Sequence, residues 1–530
     1  MLDLARALNP AQYRAVSATE GPVLVLAGAG SGKTRVLTYR IAHLVASGRA
    51  RPDEILAVTF TNKAAGEMRA RLAALLGPAA AQVWVGTFHA AALRILREQA
   101  AAAGLPAGFV VYDEADQEAL LRQACRELQV NERILPIRQI AARIDQAKND
   151  GVDAAAFAAR PHDFLDEKVA RVYARYQALL AENGALDFGD LLLAAVALFE
   201  RRPDLLERYR RRARYLHVDE YQDTNRVQYR LVRLLAGTAG NLCVVGDDDQ
   251  AIYRWRGADI RNILDFERDF PGATVVKLEQ NYRSTQVILD AAGAVVAHNA
   301  GRTGKRLWTA RAGGEPVRYY EAADEADEAA YVVETLLAEV RRRGLRLDDA
   351  AVFYRINAQS RALEEELRRR RVPYLVVGGV RFYDRAEVKD LLAYLRVLVN
   401  PADSVALRRI LNVPPRGIGR GTLERLAARA AETGRPLWDA VVEGAHDPLL
   451  SASARRALAE FVDLVERLGR LAREAPAGRV LEALLVETGY AAALEAEGSL
   501  EAAGRLENVR ALLARAHEAA ERGEATSVAA

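Results

Sequence analysis

Apolar residues fall into two patterns along this chain. One is the short, nearly unbroken run: Val23 to Leu26, Ile55 to Phe60, Val83 to Phe88, Tyr215 to Val218, Leu242 to Val245 and Thr274 to Leu278. Such runs suit strands of a parallel sheet, which are covered on both faces and need no polar side. The other pattern is recurrence every three or four residues, which predicts amphipathic helices. It fills the stretch from about Ala90 to Arg214 almost wholly, through AALRILREQA, QEALLRQACREL, RQIAARIDQAK and KVARVYARYQALLAENG. An α/β fold is therefore expected, with a helical subdomain inserted between strands of one sheet. Residues 421–528 read as further Ala-, Leu- and Arg-rich helices without a catalytic constellation. Ser360 to Arg371 reads as a helix in which Glu364, Glu365 and Glu366 each stand four residues before an Arg.

The informative polar residues stand where the apolar runs end, the edge at which open parallel sheets gather ligands. Val23–Leu26 leads into Ala27-Gly28-Ala29-Gly30-Ser31-Gly32, and Lys33-Thr34-Arg35 then opens a helix. The glycines let backbone N–H groups face a polyphosphate, and the helix N-terminus adds partial positive charge at the same point. Lys33 would reach the β- and γ-phosphates, and the Thr34 hydroxyl would hold Mg²⁺. Ala27 occupies the position at which the usual Gly-x-x-x-x-Gly-Lys-Ser/Thr pattern has its first Gly.

Tyr215–Val218 ends in Asp219-Glu220, the pair a P-loop ATPase requires: Asp219 to position Mg²⁺ through its water shell, Glu220 to orient and deprotonate the attacking water. Leu242–Val245 ends in GDDDQAIYRWRG, residues 246–257. The alternating oxygen ligands of a calcium loop are absent from it. Gln250 is placed to sense a γ-phosphate, while Tyr253, Trp255 and Arg256 form either a platform for unstacked bases or a core aromatic cluster. Beyond Leu278, Tyr282 can stack on adenine and Arg283 can serve as an arginine finger. Gln12, with an amide donor and acceptor, is an adenine-edge reader or simply a surface Gln. Phe188, in Leu186-Asp187-Phe188-Gly189-Asp190, is a stacking platform or a helix-start staple. His217, inside a strand, reads as a packed core residue.

Composition narrows the class further. At 530 residues the chain exceeds a single core and should divide into about three or four domains. The net charge is only +3, from 74 basic and 71 acidic residues, so nucleic-acid binding must come from local surfaces. Cys125 and Cys243 lie far apart and have no partner at metal-ligand spacing, which suits reduced thiols in a cytosolic protein. Leu191 to Phe199 is far shorter than the roughly 20 residues of a membrane span, so no membrane partner is expected.

Taken in order, LNPAQ, AGAGSGKT, AVTFTNKAAGEM, GTFHA, LDFGDLL, VDEYQDTN, VVGDDDQAIYRWRGA, LEQNYRST, AVFYRINAQSR, YLVVGGVRFYDRAEVKDLLAYLR and NVPPRGIG resemble the UvrD/Rep/PcrA family of superfamily 1 DNA helicases over essentially the whole chain. The resemblance implies two RecA-like P-loop motor domains, each with an inserted, mostly helical subdomain. The first motor domain would span 1–89 and 214–278, with its insertion at 90–213. The second would begin at 279 and be interrupted by an insertion over 377–530.

ATP and Mg²⁺ are the implied cofactors. Lys33, Asp219, Glu220, Gln250 and Arg283 would be catalytic, with Thr34 and Asp219 at the metal. Gln12, the loop from Ala27 through Arg35, Tyr282 and Arg283 would bind the nucleotide. Phe60, Asn62, Thr87, His89, Phe188, Tyr253, Trp255, Arg256 and Arg355 would line the single-strand track. Gly417 and Gly419, with flanking Arg416 and Arg420, would touch duplex phosphates.

The resemblance implies an ATP-driven 3′ to 5′ single-stranded DNA translocase and repair-type helicase in the cytoplasm. Its partners would be single-stranded DNA, single-strand/duplex junctions and repair or replication proteins. The family continues past its second insertion with a Thr-His-x-x-Lys-Gly segment and a further Arg-bearing motif, which this sequence does not reach. The expectation is thus a truncated form with an incomplete second motor domain. The alternative function is a nucleotide-responsive DNA-binding module without productive unwinding.

Overall fold

The computed structural model describes residues 3–159, 164–237, 240–299, 301–377, 382–521 and 527–529. Among these the strands are β1 (Val23–Ala27), β2 (Ile55–Thr59), β3 (Trp84–Thr87), β4 (Val110–Tyr112), β5 (Ala185–Asp187), β6 (Tyr215–Val218), β7 (Asn241–Gly246), β8 (Thr274–Leu278), β9 (Gln280–Asn281) and β10 (Trp308–Thr309). Six of them make one parallel sheet in the order β3-β2-β6-β7-β1-β8. β1 and β2 are buried along their whole length because helices cover both faces. Val23, Val25 and Ala27 pack into the layer that holds the helices Lys33–Ala46 and Asn62–Leu76, while Leu24 and Leu26 pack into the layer of Phe88–Glu98, Phe188–Arg201 and Arg226–Ala236. Each of these Val and Leu side chains contributes roughly 1.5–3 kcal/mol of burial. The unbroken apolar run is the signature of that two-sided cover.

Residues 90–213 are mostly helical around Leu120, Leu121, Ile140, Ile144, Val169 and Tyr176. The expectation of an almost wholly helical segment needs one correction, since β4 pairs in parallel with β5, Val110 opposite Ala185 and Tyr112 opposite Asp187. Three-residue strands are too short to display an alternating pattern. Helices from Ala386–Val399 to Leu500–Glu521 form a second helical region. It docks on the insertion through Arg396, which pairs with Asp116 at 2.6 Å and Asp403 at 2.7 Å, and through Tyr112, whose hydroxyl donates to Asp403.

The chain divides into two compact units, residues 1–312 with 386–530, and residues 313–385. Residues 279–312, expected to start the second motor domain, group with the first unit, and β9 pairs there with β10. The unit 313–385 is built on the helices Glu325–Arg343 and Ser360–Arg369, and none of its described residues forms a strand. In the second helix Glu364 and Glu366 pair forward with Arg368 and Arg370, but Glu365 turns back to Arg361.

Candidate functional site

The turn after β1 is shaped from outside. The carbonyl of Gly28 accepts the Ser31 hydroxyl at 2.7 Å, that of Ala29 accepts Asn281 Nδ2 at 2.6 Å, that of Gly30 accepts the Tyr282 N–H at 2.9 Å and that of Ser31 accepts Gln12 Nε2 at 2.9 Å. Four consecutive carbonyls are thus engaged. The amides of Gly28 and Ser31 are spent on the Leu278 and Gly28 carbonyls, which leaves those of Ala29, Gly30 and Gly32 to meet a polyphosphate. Gly30 and Gly32 have φ of 68° and 93°, and a Cβ on either would sit 2.6 Å from Asn281 or 2.8 Å from Gln12. Gly32 ends in the conformation from which Lys33 and Thr34 start the helix.

β6 delivers the acidic pair to the same loop. Lys33 Nζ lies 3.1 Å from Glu220 Oε2. Glu220 takes φ 50° and ψ 48°, a left-handed conformation that costs a non-glycine residue about 1–2 kcal/mol. Burial, and then Glu220, push the Asp219 carboxyl up to about 7, and the same two causes push Asp223 up to about 7. Three carboxyls crowd one ammonium. This donor set has more negative charge than Lys33 balances, and hard oxygen donors in surplus fit Mg²⁺.

β7 carries the third loop. Gln222 joins it to the acidic pair: its Oε1 accepts the Asp247 N–H at 2.9 Å while its Nε2 donates to Glu220 at 3.0 Å. Gln250 Nε2 donates to Asp247. The carboxylates of Asp247, Asp248 and Asp249 converge within 4.8 Å, and the ammonium of Lys305 stands among them.

The same loop ends in an exposed aromatic group. Trp255 is 71% exposed, which excludes the core-cluster alternative. Tyr253 lies between it and Phe60, at centroid distances of 6.3 Å and 4.8 Å, and the Arg256 guanidinium sits 4.5 Å over the indole. A second pair, His89 and Phe188, meets edge to face at 5.9 Å. Phe188 follows the N-cap Asp187 and is 54% exposed, so it cannot be a staple, which requires the residue before the cap. The helix Ile137–Asn149 links both groups. Its Lys148 is buried against Asp187 and Asp190, at 2.6 Å and 2.7 Å, and its Asn149 accepts from Asn225 and packs against Gly257.

Tyr282 and Arg283 border the phosphate loop: the Tyr282 hydroxyl accepts from Asn9 at 2.8 Å, and the Arg283 side chain is close enough to exclude a Cβ on Gly30. Gln12 is buried and its amide is engaged at both ends, by the Asn9 N–H and the Ser31 carbonyl, so reading adenine requires an exchange of partners. Arg35 donates to the Ala7 carbonyl and stacks on Tyr39. Thr87 caps the helix Phe88–Glu98, and Asn62 is the first residue of Asn62–Leu76.

Arg355 belongs to the unit 313–385, where its N–H donates to Gln359. Gly417 and Gly419 precede the helix Arg420–Thr433. The flanking Arg416 donates to the carbonyls of Ile410, Val413 and Pro414. Arg420 is exposed and paired with Glu424.

Three residues at the site escaped sequence reasoning. Asn281 accepts the N–H groups of Arg283 and Ser284 while donating to the loop. Lys305 has no motif around it. Lys148 did carry a signal, since it continues the apolar stripe of Ile137, Ile140 and Ile144, where a lone cation implies a buried acid.

Two family descriptions match this chain, the UvrD/REP helicase N-terminal domain over residues 8–271 and the UvrD-like helicase C-terminal domain over residues 276–447. The two matched domains, with the parallel sheet, bear out a mixed α/β fold of two RecA-like motor domains. The ATP-dependent DNA helicase PcrA of Staphylococcus epidermidis is 44% identical over 506 residues, 96% of this chain and 69% of that protein. The ATP-dependent DNA helicase PcrA of Staphylococcus aureus is 44% identical over 502 residues, 95% of this chain and 68% of its own length.

Proposed function

This chain belongs to the UvrD/REP helicase family, and from that premise we propose that it is an ATP-hydrolysing DNA helicase that moves 3′ to 5′ along single-stranded DNA and separates strands at junctions, in repair or replication. The observation that carries the reading is that Gln250 and Trp255 share one loop, 246–257, whose first aspartate is joined through Gln222 to Glu220. A change at the phosphate end of that loop must be felt at its aromatic end.

ATP and Mg²⁺ suit the residues present. Bound Mg²⁺ neutralises phosphate charge and so favours transfer of the γ-phosphoryl group to water. Lys33 is the residue to bind the β- and γ-phosphates, which takes it from Glu220. Glu220, released, orients water and accepts its proton. Thr34 and Asp219 would hold the metal. Arg283, beside Gly30, faces the charge that develops on the phosphoryl oxygens. Phe60, Tyr253, Trp255, Arg256, His89 and Phe188 stack bases and hold the backbone, with Asn62 and Thr87 beside them and Gly417 and Gly419 on the duplex; Arg355, in the unit 313–385, also binds single-stranded DNA. The working compartment is the cytoplasm, and no described helix is long and apolar enough to cross a membrane.

The test uses the purified chain with Mg²⁺-ATP and partial duplexes carrying a 3′ or a 5′ tail. Unwinding of the 3′-tailed substrate alone is expected, and Glu220→Gln should lower kcat by about 10²–10⁴-fold. Wild-type hydrolysis by Glu220→Gln overturns the mechanism. DNA binding with weak or absent turnover and no strand separation would favour the DNA-binding alternative.

A further inference from the structure

Three consecutive aspartates at the edge of a sheet need compensation, because carboxylates within 4.8 Å of one another cannot all stay ionised in a nearly buried setting without cations. The segment Arg302–Lys305 supplies it. Arg302 makes a two-pronged pair with Asp249, Nε to Oδ1 at 2.7 Å and a terminal nitrogen to Oδ2 at 2.9 Å. Thr303 donates its N–H and its hydroxyl to Asp248 at 2.8 Å and 2.9 Å. Lys305, whose side chain is 2% exposed, touches Asp248 and lies 3.0 Å from Asp247 and 3.6 Å from Asp249. Its ammonium occupies the centre of the carboxylate cluster, where a metal would otherwise sit.

Resting on the helicase reading above, we propose that the Arg302–Lys305 strap is a charge latch on the loop 247–256, and that Lys305 is a positioning residue through which phosphate sensing at Gln250 is coupled to the hold of Trp255 on DNA. Asp247 is the hub of this arrangement. Its carboxylate takes Lys305, the Asp249 N–H at 3.1 Å and the Gln250 amide, while its own N–H is fixed by the Gln222 side chain that also holds Glu220.

The strap runs directly into the phosphate loop. Leu307 presses on Gly28 so closely that a Cβ there would lie 2.3 Å away, the Arg306 N–H donates to Glu279, and β10 pairs with β9, which leads to Tyr282 and Arg283. The strap therefore sits between the residues that meet phosphate and the loop that meets bases. Two cations face three aspartates, so the latch keeps one unit of negative charge and responds to the field around it. Burial lowers the affinity of Lys305 for its proton, Asp247 opposes this and the charge of Lys33 adds to it, and a continuous chain of contacts joins the two lysines through Glu220, Gln222 and Asp247. When Lys33 turns toward phosphate, the balance at Lys305 changes.

The test is Lys305→Met in the full chain, with ATP hydrolysis measured with and without a single-stranded oligonucleotide, and DNA affinity measured with and without a non-hydrolysable ATP analogue. The expected result is a KM for ATP within about twofold of wild type, a DNA-stimulated kcat lowered about tenfold or more, and loss of the analogue's effect on DNA affinity, with Lys305→Arg restoring most of each. A merely structural role would instead lower the melting temperature and every rate together. Should Lys305→Met fail to fold, Arg302→Gln removes the outer arm and is expected to lower DNA stimulation about threefold or more; unchanged stimulation there overturns the latch. Stimulation that survives intact in folded Lys305→Met overturns the latch alone. A wild-type chain without DNA-stimulated hydrolysis overturns the helicase reading and the latch with it.

Discussion

At Asp219 proton and metal compete for one carboxyl. Burial and Glu220 raise it to about 7, whereas a free aspartate titrates at 3.8. Between those values the folded protein binds a proton that the unfolded chain has lost, so stability falls as pH rises through the window. Asp223, also raised to about 7, acts with the same sign. The nucleotide-free protein should therefore melt at progressively lower temperature from about pH 5 to about pH 7. Mg²⁺-ATP analogue should raise the melting temperature more at about pH 8 than at about pH 6, because at the lower pH it must displace protons. A melting temperature that rises steadily over the same range would contradict this account of the acidic pair. Trp255→Ala should weaken oligonucleotide binding by ~1–3 kcal/mol, read by fluorescence anisotropy, with KM for ATP unchanged.

Among the elements, the helix Ile137–Asn149 ties the insertion to the sheet. Its apolar face packs in the insertion core, and its last turn holds Lys148 between Asp187 and Asp190, with the Tyr176 hydroxyl donating to Asp187 at 2.8 Å. Lys148→Met leaves two buried carboxylates facing each other and should cost about 3–5 kcal/mol, measured by urea unfolding. DNA affinity should fall as well, since the capping box that presents Phe188 is made from those same aspartates. A stability within error of wild type would mean that the pair is no brace.

This network also marks where sequence reading stopped. β1 and β2 were legible because burial on both faces leaves a contiguous apolar run, and the phosphate turn because its glycines are adjacent to Lys33. Lys148 and Asp187 are separated by 39 positions, and Lys305 meets Asp247 from outside every local motif. The stripe position of Lys148 signals a buried acid, but which acid it meets, and the whole of the Lys305 pairing, are decided by tertiary packing, which local spacing does not encode. β4 and β5 were missed for the simpler reason that three residues show no period.

For the whole molecule, the two compact units differ in how well they are covered. Residues 1–312 with 386–530 enclose the sheet between two apolar layers. In residues 313–385, large apolar side chains stand in water, with Tyr319 85%, Phe353 92% and Leu375 85% exposed. Amides of 351–377 should exchange hydrogen for deuterium orders of magnitude faster than those of β1 and β7, because local opening is cheapest where few apolar contacts resist it. Equal protection in both places would refute that ranking.

The engaged carbonyls of the phosphate turn have a kinetic consequence. A mould whose walls are already fastened by Ser31, Asn281, Tyr282 and Gln12 does not have to set around its casting. Little chain entropy is surrendered when the nucleotide arrives, so capture should proceed in one fast step, and any slow isomerisation that follows belongs to the side chains that must trade partners, Lys33 first among them.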